Sequence, residues 1–334
     1  MRKTSHSTNI SKKPFRICTI EAPCKINLHL HIGERMPDGF HGLQGIFASL
    51  AFGDTLRFEC GGAGGESLLS VNPNDATPIK DNLVLRAVSL FRERIGFKFG
   101  LKIHLDKRIP VGAGLGGGSS DAASTLLALN ALSEGLISAS LPMDELKKLA
   151  LSLGSDVPFF LTGGTALVSG RGDLVEPVKS LDGLWVVLAK PPFSSYTSSA
   201  YRLLDHYREL KGGGKRENNG IVLSNKELTQ ALEGKIDRWP FYNDFLPVFL
   251  SSSSSEHKEE VNSYAANAAI YMEIIDLLKG LGASFVGLSG AGSCCFGIFD
   301  RETEAKKAAL KLNCKGNFTR LTFFLAHSAI PVLK

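Results

Sequence analysis

The run Pro110-Val-Gly-Ala-Gly-Leu-Gly-Gly-Gly-Ser-Ser120 places glycine at Gly112, Gly114, Gly116, Gly117 and Gly118. A loop this rich in glycine is costly in backbone entropy, so its use must repay that cost. The main chain, here including Ala113 and Leu115, can approach an anion closely and point several N–H groups at it. A helix starting directly behind the loop adds the partial positive charge of its N-terminus. Ser119 and Ser120 supply hydroxyls for phosphate oxygen or a phosphate-bound Mg²⁺. A plain tight turn needs one or two glycines rather than five. Gly112, Gly114 and Gly117 also match the dinucleotide pattern G-x-G-x-x-G. That pattern requires a following strand tipped with an acid, and here the helix leads instead into loop and helix. A Walker A loop needs Lys before the Ser, where this chain has Gly118.

Phosphoryl transfer needs positioning, charge neutralisation and a proton acceptor near the attacking hydroxyl. Two charged residues stand in unusual surroundings. Lys25 lies inside the apolar stretch Ala22-Pro-Cys-Lys-Ile-Asn-Leu28, and Asp156 lies in Gly154-Ser-Asp-Val-Pro-Phe-Phe160. Taken singly, the first reads as a lysine snorkelling from a sheet edge and the second as a helix cap or turn. Beside the glycine loop, the two make a candidate catalytic pair.

Bulk composition narrows the context. The formal charge of +5 over 334 residues arises in the first sixteen, which carry Arg2, Lys3, Lys12, Lys13 and Arg16 and no acid; the rest holds 33 basic and 33 acidic residues. There is thus no electrostatic case for nucleic acid. Residues 1–16 read as a disordered basic tail. No apolar run approaches the ~18 residues of a membrane span, so a cytoplasmic protein with no membrane partner is expected. Six cysteines without a C-x-x-C motif read as reduced, mostly buried thiols. His29 and His31 share a strand face, but no further ligand accompanies them at metal-site spacing, so packing is the simpler reading. Oligomeric state is left open.

The elements that must position these groups mix strands and helices without strict alternation, which indicates α+β architecture. Strands are expected over 17–33, 43–59, 101–105, 185–189, 285–288, 295–299 and 321–327, with strand and turn over 163–177. Helices are expected over 82–94, 119–132, 143–153, 198–208, 264–278 and 302–312. Residues 61–65 read as a flexible turn, and the polar segments 211–219 and 251–260 as solvated loops. The division falls into two domains, 17–180 and 181–334.

Three motifs in order resemble the GHMP kinases: the strand bearing Lys25, the loop from Pro110 to Ser120 with one extra glycine, and the late Leu288-Ser-Gly-Ala-Gly-Ser-Cys294. Within that superfamily the stretches APCKINLHLHIGERMPDGFH, DNLVLRA, LGSDVPFFLTGGTALVSGRGD and LSGAGSCCFGIF resemble the branch acting on 4-diphosphocytidyl-2-C-methyl-D-erythritol. The resemblance implies a two-domain fold with its active site in the interdomain cleft. It implies transfer of the ATP γ-phosphate, with Mg²⁺, to the 2-hydroxyl of a small substrate carrying a cytidine diphosphate group, in the non-mevalonate route to isoprenoids. A homoserine- or mevalonate-type kinase is the competing implication. By motif position Asp156 resembles the catalytic base and Lys25 its partner, while Asn27 resembles a substrate-binding residue. His41 resembles the reader of the cytosine edge. Phe40 stands where the family usually has Tyr, stacked on the base, and Tyr201 stands near the second aromatic. Asn82 and Lys107 match positions near adenine and ribose. Three departures are visible besides the extra glycine: Phe40 lacks the tyrosine hydroxyl, Cys24 replaces the common Ala of the first motif, and the usual Asn-Asp-Leu-Glu reads Asn243-Asp-Phe-Leu246.

Overall fold

The computed structural model describes residues 16–37, 39–63, 67–72, 81–210, 222–251 and 260–334. The expected tail lies outside these residues except for Arg16, which opens the first strand. Asp38, Gly64, Gly65 and segment 211–219 also lie outside, as does 251–260 apart from Ser251 and Glu260.

The largest sheet is built on a long hairpin, β1 (Arg16–Arg35) and β2 (His41–Ala63). β2 also pairs antiparallel with β4 (Phe99–Asp106) and β5 (Thr165–Gly170). β3 (Ser67–Asn72) runs parallel to β4, and β6 (Leu174–Pro177) pairs with β5. The segment expected as a turn over 61–65 is strand as far as Ala63. β1 is buried on both faces from Ala22 to Ile32, which explains its near-continuous apolar sequence. The β1–β2 register slips between Pro23 and Cys24, where Gly53 faces Pro23 and Leu50 faces Cys24. Gly53 allows this crowding, because a Cβ there would lie 2.2 Å from the Ala22 carbonyl oxygen. Such a bulge bends the strand and re-aims the side chains just beyond it, here that of Lys25.

The helices α1 (Leu83–Ile95), α2 (Gly117–Ile137), α3 (Met143–Leu153) and α4 (Val157–Thr162) accompany this sheet. No residue of α2 from Ser119 to Ser133 is exposed, and its Ser, Ala and Thr residues let neighbours approach closely. It runs beyond the expected 119–132 at both ends. α4 was not legible as a helix, since Pro158 in a six-residue helix breaks any periodic signal.

A second sheet has the order β10–β7–β9–β8, all antiparallel, from β7 (Trp185–Lys190), β8 (Phe285–Leu288), β9 (Cys295–Phe299) and β10 (Phe318–Phe323). With it come α5 (Thr197–Leu210), α6 (Asn225–Glu233), α7 (Phe245–Ser251), α8 (Glu260–Gly280) and α9 (Glu302–Asn313). The last strand expected, 321–327, is corrected to Phe318–Phe323, because the chain then leaves this sheet. Leu325 N donates to Ser49 O, and β11 (Val332–Leu333) pairs with β1. The apolar core ignores the sheet boundary. One cluster contains both Cys18 and Leu312, and a second contains both Cys24 and Phe296. Among the described residues no helix is long and apolar enough to cross a membrane.

Candidate active site

Lys25 is 3% exposed, so it is a buried cation rather than a snorkelling edge residue. Its backbone N donates to Leu115 O at 3.0 Å, which ties β1 to the glycine loop. Its Nζ donates to Asn27 Oδ1 at 2.5 Å, lies 3.5 Å from Asp156 Oδ2 and sits 5.1 Å from the centre of the Phe47 ring. A buried ammonium needs such partners, since desolvation without them costs several kcal/mol. Asp156 occupies the N-cap position of α4 but makes no side-chain cap bond, and its side chain stays 31% exposed. A carboxylate free of capping and open to solvent can meet a substrate hydroxyl. The buried Asn27 Nδ2 has no partner among the described residues, which leaves a donor for a ligand oxygen.

The glycine loop is held by its carbonyls. Gly112 O accepts from Ser195 N and Ser293 N, Ala113 O from Cys294 N, and Gly114 O from Ser289 Oγ at 2.9 Å. Gly114 has φ +72°, and a Cβ there would stand 2.0 Å from Ser289 O. At Gly116, φ +71°, a Cβ would lie 2.9 Å from Phe160 Cζ and 3.1 Å from Lys25 Cγ. Glycine is therefore demanded both by backbone conformation and by the closeness of the late glycine motif and Lys25. The N-cap of α2 is Gly116, without a side-chain cap. The amides of Gly117, Gly118 and Ser119 consequently have no intrahelical acceptor and are available to an anion. Ser119 is half-buried; Ser120 is buried, and its Oγ has no partner among the described residues.

Asn82 caps α1, its Oδ1 accepting from Val84 N at 2.9 Å. The adjoining Leu83 is the nearest neighbour a Cβ at Gly118 would meet, so Asn82 borders the loop. Lys107 lies under it, with Nζ 2.6 Å from Asp54 Oδ2 and 2.8 Å from Asp121 Oδ2. One ammonium cannot neutralise two buried carboxylates. Burial, reinforced by the Asp54 charge and only partly offset by Lys107, pushes Asp121 up to about 7. Burial acts to lower Lys107, but the two aspartates outweigh it and raise its pKa.

The residues expected to read a base gather elsewhere. His41 Nε2 lies 2.9 Å from Asp205 Oδ1, and its ring centre is 5.0 Å from that of Tyr201. Phe40 is 57% exposed, with the Arg171 guanidinium 5.1 Å from its ring centre. Burial, with smaller contributions from the Asp156 and Asp205 charges and an opposing one from Arg208, pushes the Tyr201 hydroxyl up to about 12. His29 and His31 are packed: Tyr242 meets the His29 ring edge-on at 4.4 Å, and His31 Nδ1 lies 2.9 Å from Asp244. Burial lowers His29 to about 4, with the His31 charge adding to the effect and Asp244 opposing it.

Sequence reasoning missed Asp205, Asp54, Asp121 and the supports around Asn243. Asn243 Nδ2 donates to Leu288 O and Gly290 O, both at 2.8 Å, and so holds the late glycine motif. Asp244 accepts from Ile32 N and from Arg208, which also donates to Gly33 O and Ile32 O. The available signal was the spacing of Tyr201, Asp205 and Arg208, which shares one helical face. A cavity of about 500 Å³ lies apart from all these groups, between residues 19–23 and 50–53 of the β1–β2 hairpin and residues 325–334.

The GHMP kinases N terminal domain model matches residues 82–164 and the GHMP kinases C terminal model matches 252–317. The 4-diphosphocytidyl-2-C-methyl-D-erythritol kinase of Thermodesulfovibrio yellowstonii is 34% identical over 290 residues, spanning 87% of this chain and 92% of that one. The chain belongs to the 4-diphosphocytidyl-2-C-methyl-D-erythritol kinase family. A crystal structure of 4-(cytidine 5'-diphospho)-2C-methyl-D-erythritol kinase superposes with TM-score 0.66 at 29% identity, covering 94% of this chain and 98% of the other. Homoserine kinase from Cytophaga hutchinsonii shares the GHMP fold, with TM-score 0.64 over the full length of both chains, at only 16% identity. For this member of the family the motifs thus fall where the fold brings its two glycine-rich segments together.

Proposed function

We propose that the chain phosphorylates the 2-hydroxyl of 4-diphosphocytidyl-2-C-methyl-D-erythritol with ATP, giving the 2-phosphate and ADP, a step toward isoprenoid precursors. The observation that carries this reading is the buried Lys25, held between Asn27 and Asp156 with its backbone on the glycine loop. The loop amides and the α2 N-terminus hold the nucleotide phosphates. Asp156 accepts the proton as the substrate oxygen bonds to the γ-phosphorus and the bond to the β–γ bridging oxygen breaks. Lys25 offsets charge on the attacking oxygen, and Asn27 orients the substrate through its spare amide donor. If the transition state is loose, positioning outweighs basicity, and a carboxylate beside an ammonium suffices. Asn82 and Lys107 border the nucleoside of ATP; with two of its three donors engaged, Lys107 has one left for the ligand.

The unpartnered Ser120 hydroxyl fits an oxygen ligand for Mg²⁺, and Ser119 and Ser120 are the residues that would hold it. The ion, when bound, neutralises charge on the phosphates. At the other end Phe40 and Tyr201 flank the cytosine and His41 meets its edge. The loss of the tyrosine hydroxyl at Phe40 leaves the stacking surface intact. The reading includes a division after residue 180, supported by the change of sheet between β6 and β7, and a cytoplasmic location, since both substrates are water-soluble nucleotides.

The test is ADP formation with the cytidyl substrate, homoserine and mevalonate in parallel. Turnover confined to the cytidyl compound is expected. Turnover of homoserine or mevalonate instead would overturn the assignment.

A further inference from the structure

The stretch Leu161-Thr-Gly-Gly-Thr165 has no part in the site described above, yet both of its glycine positions demand glycine. Gly163 ends α4 with φ +66°, its N donating to Phe159 O at 2.8 Å. One left-handed glycine is enough to end a helix. Here a second, Gly164 with φ +65°, follows before β5 begins. The reason lies in a distant part of the chain. A Cβ at Gly163 would stand 2.3 Å from both N and Cα of Ser328, and one at Gly164 would stand 2.9 Å from Ala326 O. The backbone of residues 326–328 thus lies directly against the glycine pair.

The same stretch also holds β2. Leu325 N donates to Ser49 O at 2.9 Å, Phe324 bridges to Leu50, and Ser49 N in turn donates to Gly164 O at 2.8 Å. Ser49 is the β2 partner of Lys25 in the β1–β2 register, so the strand opposite Lys25 is pinned through both backbone groups of that residue. On the other side α4 is a six-residue rod, ~9 Å long, which Asp156 opens and Gly163 closes. These links form a ring. It runs from Lys25 to Ser49, the glycine pair, α4 and Asp156, and closes across the 3.5 Å from Asp156 Oδ2 to Lys25 Nζ. Residues 325–328 touch it at Ser49, Gly164 and Gly163.

We infer that residues 325–328 are a positioning element for phosphoryl transfer, which sets the separation of Lys25 and Asp156 by fixing the strand behind the one and the helix behind the other. The proposal rests on the reading of Asp156 as proton acceptor and adds to it what holds that carboxylate in place. A short helix moves as a unit, so a shift at its C-terminal glycine is carried to its N-terminal aspartate. The glycine loop has its own supports at Ser195, Ser289, Ser293 and Cys294. Displacing residues 325–328 therefore slows the chemical step and spares nucleotide binding.

The test is steady-state kinetics of Gly163→Ala, Gly164→Ala, Gly96→Ala and Asp156→Asn, with ATP and the cytidyl substrate varied in turn, well below each melting temperature. Gly163→Ala and Gly164→Ala should lower kcat by about 10–100-fold, the worth of misplacing a reacting group by about an ångström, with both KM values little changed. Gly96 has the same left-handed backbone, φ +73°, and nothing within 4 Å of an added Cβ, so Gly96→Ala carries the strain alone and should keep the wild-type kcat. Once the base is misplaced, its removal costs less: Asp156→Asn should lower kcat far less in the Gly164→Ala background than in wild type. Unchanged kcat in both glycine variants, beside a large loss in Asp156→Asn, overturns this proposal and leaves the base reading standing. Equal loss in Gly96→Ala, or a KM for ATP that rises as kcat falls, also overturns it. Near wild-type turnover in Asp156→Asn overturns the base reading and this proposal together. In the wild-type enzyme the amides of Leu325 and Ser49 should exchange as slowly as those of the β1–β2 core. A Leu325 amide open to exchange overturns the proposal whatever the stability of the variants.

Discussion

The two ends of the site are made of different materials. Around Gly112–Ser120 the proposed working groups are backbone amides, fixed because the carbonyls of Gly112, Ala113, Gly114 and Leu115 are tied to neighbouring segments. Around His41 the working groups are side chains, and each depends on another side chain: His41 on Asp205 and Tyr201, Phe40 on Arg171. Backbone amides cannot be mutated away, but their placement can be destroyed by a single methyl group. Side chains can be removed one at a time with graded loss. A phosphate is the same in every nucleotide and suits the first construction. A base must be told from its relatives and suits the second.

The sharpest separation should come from the proposed catalytic pair, Lys25 and Asp156, which belongs to the glycine-loop end. Asp156→Asn should lower kcat by ~10²–10⁴-fold, the usual worth of a general base, with ATP affinity little changed. Lys25→Met should also lower kcat, and the double variant should be little worse than the poorer single one. Steady-state kinetics decide this, and near wild-type turnover in Asp156→Asn would remove Asp156 from the mechanism. A smaller effect is expected from Gly114→Ala. Forcing a side chain to φ +72° costs about 1 kcal/mol, and the added methyl would meet Ser289 O. The KM for ATP should rise at least about tenfold and the melting temperature should fall, while preference for cytidine over uridine persists. Equal loss of base preference would show that the two ends are not independent.

The smallest effect should come from Asp121. Its folded pKa of about 7 lies above the usual ~4 of an unfolded aspartate. Between those values the folded chain keeps a proton that the unfolded chain has released. Stability from this group is therefore full below about pH 4, declines as pH rises to about 7 and is flat beyond. Asp121→Asn should flatten that decline, read from urea unfolding at pH 5, 6 and 8. An unchanged pH dependence would mean that the proton is not held there.

The contrast also explains what the sequence could disclose. Glycine at fixed short spacing is a local demand of the backbone, so the loop at 112–118 and the motif at 289–293 are visible as strings. Lys25 and Asp156 stood out as charges among apolar neighbours, although nothing local says that they lie 3.5 Å apart. Asp205 carries no such mark: it is an ordinary polar residue of an amphipathic helix, and its partner is 164 residues away. The Lys107–Asp54–Asp121 cluster was equally hidden, since three charges scattered over strand, loop and helix show no pattern until the sheet pairs β2 with β4. The terminal strand was placed too late because the apolar run Phe323-Phe324-Leu325-Ala326 continues past the point where the chain crosses to β2.

The carbonyls of Gly112, Ala113 and Gly114 are bonded to Ser195, Ser289, Ser293 and Cys294, so the loop keeps its shape only while the two sheets stay docked. Nucleotide that binds this shape and not the separated one acts as a clasp between them. At a thousandfold excess over its dissociation constant, such a ligand adds about 4 kcal/mol to the folded state. Occupancy by ATP should then be readable across the sheet boundary, as slower amide hydrogen exchange in β8 and β9.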